Sequence, residues 1–162
     1  MLKTIGIILV SCAISLYGAH LSGKMRRDAQ RREGLYELLA HIKTCIDNGA
    51  PPLQDIFSSF RNEPLRACGF LETLQSGEPG AFPAALQHPE LHLPPETARL
   101  YEAFAESLGK SGFRQTESEL VARYMALIRP EEEKCKKAEE VRRVLYRKLG
   151  LLCGLLAALI FI

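Results

Sequence analysis

Long polar–apolar alternation is missing from this sequence and β-branched residues are scarce between its two ends, which leaves no convincing strand. No C-x-x-C pair is present either. The five cysteines (Cys12, Cys45, Cys68, Cys135, Cys153) are odd in number and scattered, a pattern that argues against a disulfide framework and a zinc site. All five read as reduced packing residues, two of them inside the apolar ends, where a thiol behaves as a small hydrophobe. The formal charge is only +2, which gives no argument for nucleic acid as a partner.

Catalytic motifs are lacking as well. The string Leu108-Gly109-Lys110-Ser111-Gly112 ends like a P-loop, but the phosphate cradle needs a glycine five residues before Gly109, and Phe104 stands there. His88 and His92 are four apart, yet Pro89 and Pro94 oppose a regular helix, and no glutamate is placed for H-E-x-x-H. No Ser/His/Asp or Cys/His constellation can be picked out. The expectation is a protein that is not an enzyme, with no cofactor, no metal and no small-molecule substrate.

What is present is an arrangement of grease and charge. The 162 residues suffice for one domain of about 100 to 150 residues and short flanking segments. Residues 4–21 carry no formal charge apart from that of His20 when protonated, about the minimum for a helix crossing 30 Å of hydrocarbon. Residues 149–162 are uncharged too; at fourteen residues they are short for a span, but Arg147 and Lys148 can snorkel and let Val144, Leu145 and Tyr146 lengthen the stretch. Residues 22–33 hold five basic and two acidic residues, and residues 129–148 hold eight and five; residues 34–128 hold twelve acids and seven bases. The basic excess thus flanks both apolar ends. By the positive-inside rule, Lys24, Arg26 and Arg27 at one junction and Arg147 and Lys148 at the other keep the middle of the chain in the cytoplasm. An alternative comes from Leu9-Val10-Ser11-Cys12, which looks like a lipobox and would make the chain a lipid-anchored extracytoplasmic helical binding protein. The apolar run before Cys12 is short, however, and continues past it.

The middle shows a helical period. Leu35, Leu38, Leu39, Ile42, Cys45 and Ile46 fall on one stripe, and Asn48-Gly49-Ala50-Pro51-Pro52 stops that helix, with Gly49 suited to a left-handed cap and Pro51 unable to continue the ladder. A short helix follows with Leu53, Ile56, Phe57 and Phe60, then one over 65–74 and a turn or two over 82–87. Residues 88–94 read as a loop. Pro95-Glu96-Thr97 opens a helix with the stripe Leu100, Tyr101, Phe104 and Leu108, closed by Gly109 to Gly112. The last helix starts near Phe113 with Leu120, Val121, Tyr124, Leu127 and Ile128, and Pro130 either kinks it or starts a fresh one. Beyond it, Glu132–Lys136, Glu133–Lys137 and Glu139–Arg143 at i,i+4 read as a solvated face. The predicted class is all-α: a cytosolic helical bundle over 22–148 between transmembrane helices over 4–21 and 149–162.

Short motifs in order along the chain then resemble the stage III sporulation protein AB family. They are Met1-Leu2-Lys3 with Gly6, Gly49-Ala50-Pro51-Pro52-Leu53 against the family's G-x-T-P-L turn, Leu108-Gly109-Lys110-Ser111 against its L-G-x-S, and the ending from Tyr146 through Gly150, Cys153 and Gly154 to Leu155. Pro51 stands where the family usually has threonine. The resemblance implies a membrane platform like those of type II secretion, in the mother-cell membrane around the forespore. It also implies a cytosolic ATPase, the family's AA protein, and other membrane subunits as partners. Together with the charge split, it marks Glu63, Glu72, Glu102 and Glu106 as candidate acidic contacts, with Gly49, Pro52 and Gly109 at structural turns.

Overall fold

The computed structural model describes residues 2–49, 51–78, 80–108 and 114–161; the side chains at 2–16, 19, 114–115, 143, 147, 150–151 and 153–161 lie outside that description. Within it the chain is all helical, as its periodicity predicts: α1 Leu2–Asn48, α2 Leu53–Ser59, α3 Glu63–Ala67, α4 Phe70–Leu74, α5 Ala81–Leu86, α6 Pro95–Ser107 and α7 Arg114–Phe161. The fold divides into two compact units, one made of Asp28–Lys134 and the other of the chain up to Arg27 together with the chain from Cys135 onward. Among the described residues no helix is long and apolar enough to cross a membrane. The segments 4–21 and 149–162 fall mainly on residues whose side chains lie outside the description.

In the unit Asp28–Lys134 the stripe on α1 is the spine of the core. Leu35, Leu38, Leu39, Ile42 and Ile46 are buried, with Cys45 at the margin. The four short helices α2 to α5 supply Ile56, Phe57, Phe60, Leu65, Phe70, Leu71, Leu74, Phe82 and Leu86, and the long ones supply Tyr101, Phe104, Val121 and Ile128. Rings link the layers. Phe82 lies 5.8 Å from Phe57, 6.4 Å from Phe70 and 5.9 Å from Phe104 between centroids, and Phe104 lies 5.4 Å from Tyr124.

Several local expectations are corrected. Residues 65–74 do not form one helix, because Gly69 adopts the left-handed region (φ 79°) and separates α3 from α4. The helical stretch also starts earlier than 65: Asn62 caps α3 by accepting the Leu65 N–H at 3.1 Å, with Pro64 in its first turn. Gly49 is not left-handed, since α1 ends before the Pro51-Pro52 pair without needing that cap, and Pro52 opens α2. Pro130 does not start a fresh helix; α7 runs through it, which leaves the Ala126 carbonyl without its backbone donor. Leu127 is 47 % exposed instead of packed. Gly109 and Phe113 lie outside the described residues.

Two glycines are required by geometry. A Cβ at Gly34 would stand 2.6 Å from Asn62 Oδ1, so α1 is bare where the α3 cap crosses it. Gly69 combines positive φ with His88 Nε2 at 3.1 Å from any added Cβ. Gly69→Ala is therefore expected to lower stability by about 1–2 kcal/mol, whereas Gly49→Ala, in open space at ordinary φ, stays within about 0.5 kcal/mol; denaturant unfolding of the two variants in the same detergent checks the contrast.

Candidate functional site

The four candidate acids are all exposed, one on α3, one on α4 and two on α6. Glu102 and Glu106 share a face of α6, one turn apart, and neither has an ion partner among the described residues. Glu63 sits in the first turn of α3, beside the Asn62 cap, whose Nδ2 donates to Glu37 Oε2 at 2.9 Å. Glu72 on α4 borders a groove of about 270 Å³ with Arg61, Arg66, Leu71 and Gln75. That neighbourhood is mixed in charge: the Arg61 guanidinium closes the end of α2 by donating to the Ser58 and Phe60 carbonyls, and Arg66 is exposed. Glu102 and Glu106 are adjacent acids on α6, with exposed Arg99 one turn before Glu102.

At the junctions, Lys24, Arg26 and Arg27 are exposed, as is Lys148; the Arg147 side chain lies outside the description. Val141, Val144, Leu145, Tyr146, Leu149 and Leu152 on α7 are exposed too. Arg31 and Arg32, however, leave the basic cluster. Arg31 clamps the proline-flanked loop to α1, donating to the Glu90 carbonyl at 2.7 Å and to Glu90 Oε2 at 2.8 Å, with Asp28 at 3.6 Å. The same loop holds His92, whose Nδ1 lies 3.1 Å from the Glu90 carbonyl and 3.9 Å from Asp28. Nothing brings His88 and His92 together as ligands, and among the described residues no three His, Cys, Asp or Glu side chains form a metal site.

Arg32 is 4 % exposed, and Glu132 at 7 % and Thr97 at 1 % are the other buried polar side chains among the described residues. Tyr101 is fully buried as well, and its hydroxyl has no hydrogen-bond partner among the described residues. Burial, then the negative charge of Glu132, then Tyr36 push the Tyr101 phenol well above its ordinary value of 10.0. Of the solvated face expected beyond Pro130, Glu132 is the departure: it is buried, whereas Glu133, Lys136 and Lys137 are exposed. Glu133 pairs with Arg129 at 3.5 Å, and Glu131 pairs with Lys134 at 2.6 Å. A signal for these buried charges does exist in the sequence: Arg32 stands three residues before Leu35 and Glu132 four after Ile128, each on an apolar stripe. A charge at a stripe position is the sign that periodicity alone passes over.

The family model for stage III sporulation protein AB matches residues 3–162. The chain belongs to that family. Membership brings a role in sporulation, and it agrees with the order of motifs from Met1 to Leu155. No curated protein and no solved structure matches the chain.

The buried Tyr101 makes a measurable prediction. Tyr101→Phe removes a hydroxyl that satisfies no hydrogen bond among the described residues, so it should leave stability at neutral pH unchanged or raise it by about 1 kcal/mol. The sign at high pH follows from the raised phenol value. The neutral phenol is favoured in the fold, so its contribution is complete below the unfolded-state value of about 10 and declines as pH rises toward the higher folded one. Melting curves at pH 7 and above pH 10 should show a smaller alkaline loss in Tyr101→Phe than in the parent.

Proposed function

We propose that the chain is a membrane platform of the sporulation channel, the secretion-like complex between mother cell and forespore, and that it couples a cytosolic ATPase to membrane subunits without catalysing a reaction itself. One observation carries this reading. α1 and α7 share a single interior in the unit Asp28–Lys134, and they are the same two helices that continue toward the uncharged ends of the chain. A helix that is part of a packed core and also leads into an apolar terminus can pass position or force between the two without chemistry.

In this reading residues 4–21 and 149–162 lie in the mother-cell membrane around the forespore, and 22–148 face the cytoplasm. The exposed Lys24, Arg26, Arg27 and Lys148 support that orientation, since positively charged flanks stay on the inner side and attract anionic lipid. The exposed Val144, Leu145 and Tyr146 support an apolar stretch on α7 that begins before residue 149. Glu102 and Glu106 are the best placed of the four acids to meet a basic surface on an ATPase, because they are neighbours on one face and carry no internal ion partner among the described residues. Glu63 and Glu72 are secondary contacts.

The test uses the full chain in detergent and the stage III sporulation protein AA-like ATPase. Capture is expected at low salt and to weaken at moderate salt, and Glu102→Lys with Glu106→Lys should reduce it at least about tenfold at low salt through like-charge repulsion. No capture of the parent protein at either salt would remove the coupling. In cells that make the chain without forming a forespore, protease added outside intact protoplasts should leave the middle of the chain uncut; digestion there would overturn the orientation.

A further inference from the structure

Phe60 closes α2, and its carbonyl accepts from two side chains, Arg61 Nη1 at 2.9 Å and Gln75 Nε2 at 3.3 Å. Arg61 Nη1 also donates to the Ser58 carbonyl, and Gln75 Nε2 to the Phe57 carbonyl at 2.8 Å. The end of α2 thus fixes a guanidinium and an amide side by side. Both bonds of Arg61 use one nitrogen, which leaves its Nε and Nη2 donors without an acceptor among the described residues. Gln75 gives its nitrogen to the backbone and keeps its Oε1 as an acceptor.

Arg66 on α3 and Glu72 on α4 border the same groove of about 270 Å³, with the buried Leu71 in its wall. Both are exposed, and among the described residues no carboxylate lies within ion-pair distance of Arg61 or Arg66, that of Glu72 included. Two guanidiniums against one carboxylate leave an excess of one positive charge. That excess matches a single carboxylate, which a guanidinium grips through paired N–H···O bonds. The groove also presents acceptors beside those donors, Gln75 Oε1 and the Glu72 carboxylate. A carboxylate carried on a peptide comes with backbone N–H groups that suit them, whereas a phosphate diester brings acceptors alone. The volume lies below the range of about 300–1,000 Å³ usual for small-molecule sites, so it holds a few side-chain atoms of a larger partner and not a free ligand.

We propose that this groove docks an acidic peptide segment of a partner protein: one aspartate or glutamate enters between Arg61 and Arg66, and the neighbouring backbone N–H groups face Gln75 and Glu72. Engaging Arg61 costs little side-chain entropy, because the carbonyls at the end of α2 already hold it. Arg66 supplies the second, movable half of the clamp. The polarity is opposite to that of Glu102 and Glu106, so an acidic segment and a basic surface meet the chain through different residues. Binding here does not depend on docking to an ATPase.

The experiment exposes the full-length protein in detergent to a blocked pentapeptide, Ala-Gly-Glu-Gly-Ala with a benzophenone at one end, and maps the photo-cross-links by mass spectrometry. The peptide should mark residues 61–75 about tenfold more than its Gln counterpart. Arg66→Ala should bring labelling down to the Gln level, and Arg66→Lys, which keeps the charge without the fork, should retain part of it. Glu72→Gln should raise labelling about threefold by removing the competing carboxylate. Should Arg66→Ala lower the melting temperature, Glu72→Gln decides by the presence or absence of that rise. Equal labelling by the two peptides in the parent, or labelling that a folded Arg66→Ala leaves unmoved, overturns the site. Stronger suppression by inorganic phosphate or by phosphatidylglycerol micelles than by unlabelled peptide at equal concentration overturns it too, since the groove would then take a phosphate.

Discussion

Phe82 touches Phe57 from α2, Phe70 from α4 and Phe104 from α6, and through Phe104 the contact extends to Tyr124 on α7. Each ring pair is worth about 0.5–1.5 kcal/mol beyond the area it buries. The larger effect is geometric. Helices of five to seven residues such as α2, α3, α4 and α5 are far below the length at which an isolated helix holds in water. They exist because their aromatic and leucine side chains close over the α1 stripe, and a ring at the centre fixes how far apart the layers stand.

Against that apolar interior, the buried Arg32 and Glu132 are each energetically unfavourable in isolation. Burying a charge costs several kcal/mol even after relaxation, and well-packed leucines would do as well for stability alone. What polar groups at stripe positions supply is selectivity of register: a one-turn slip of α1 or α7 would move Arg32 or Glu132 among leucines, which an all-apolar stripe would tolerate. For a protein read as a platform, holding α1 and α7 in one register is the property that transmission of force requires. Arg31, the sequence neighbour of Arg32, ties the 88–94 loop to α1.

The outer surface divides the remaining tasks. The Glu102–Glu106 pair on α6, a mixed groove around Arg61, Arg66 and Glu72, and basic exposed residues near both ends of the chain are separate features of a small protein.

Much of this protein is legible in the order of its amino acids. The apolar stripes of α1 and α6, the stop at Pro51-Pro52, the opening at Pro95 and the family itself are all written locally, because helix period, proline chemistry and short ordered motifs depend on neighbours in sequence. The break at Gly69, the hub at Phe82, and the inward turn of Arg31, Arg32 and Glu132 are not. Each depends on what another segment places opposite: His88 over Gly69, Glu90 against Arg31, Glu132 near Tyr101. The sequence by itself determined which segments are helical and which faces are apolar, since those follow from bonds and periodicity within a few residues. Only the tertiary structure decided which charges are buried and which residues meet, since burial is a property of two surfaces and no single stripe specifies its partner.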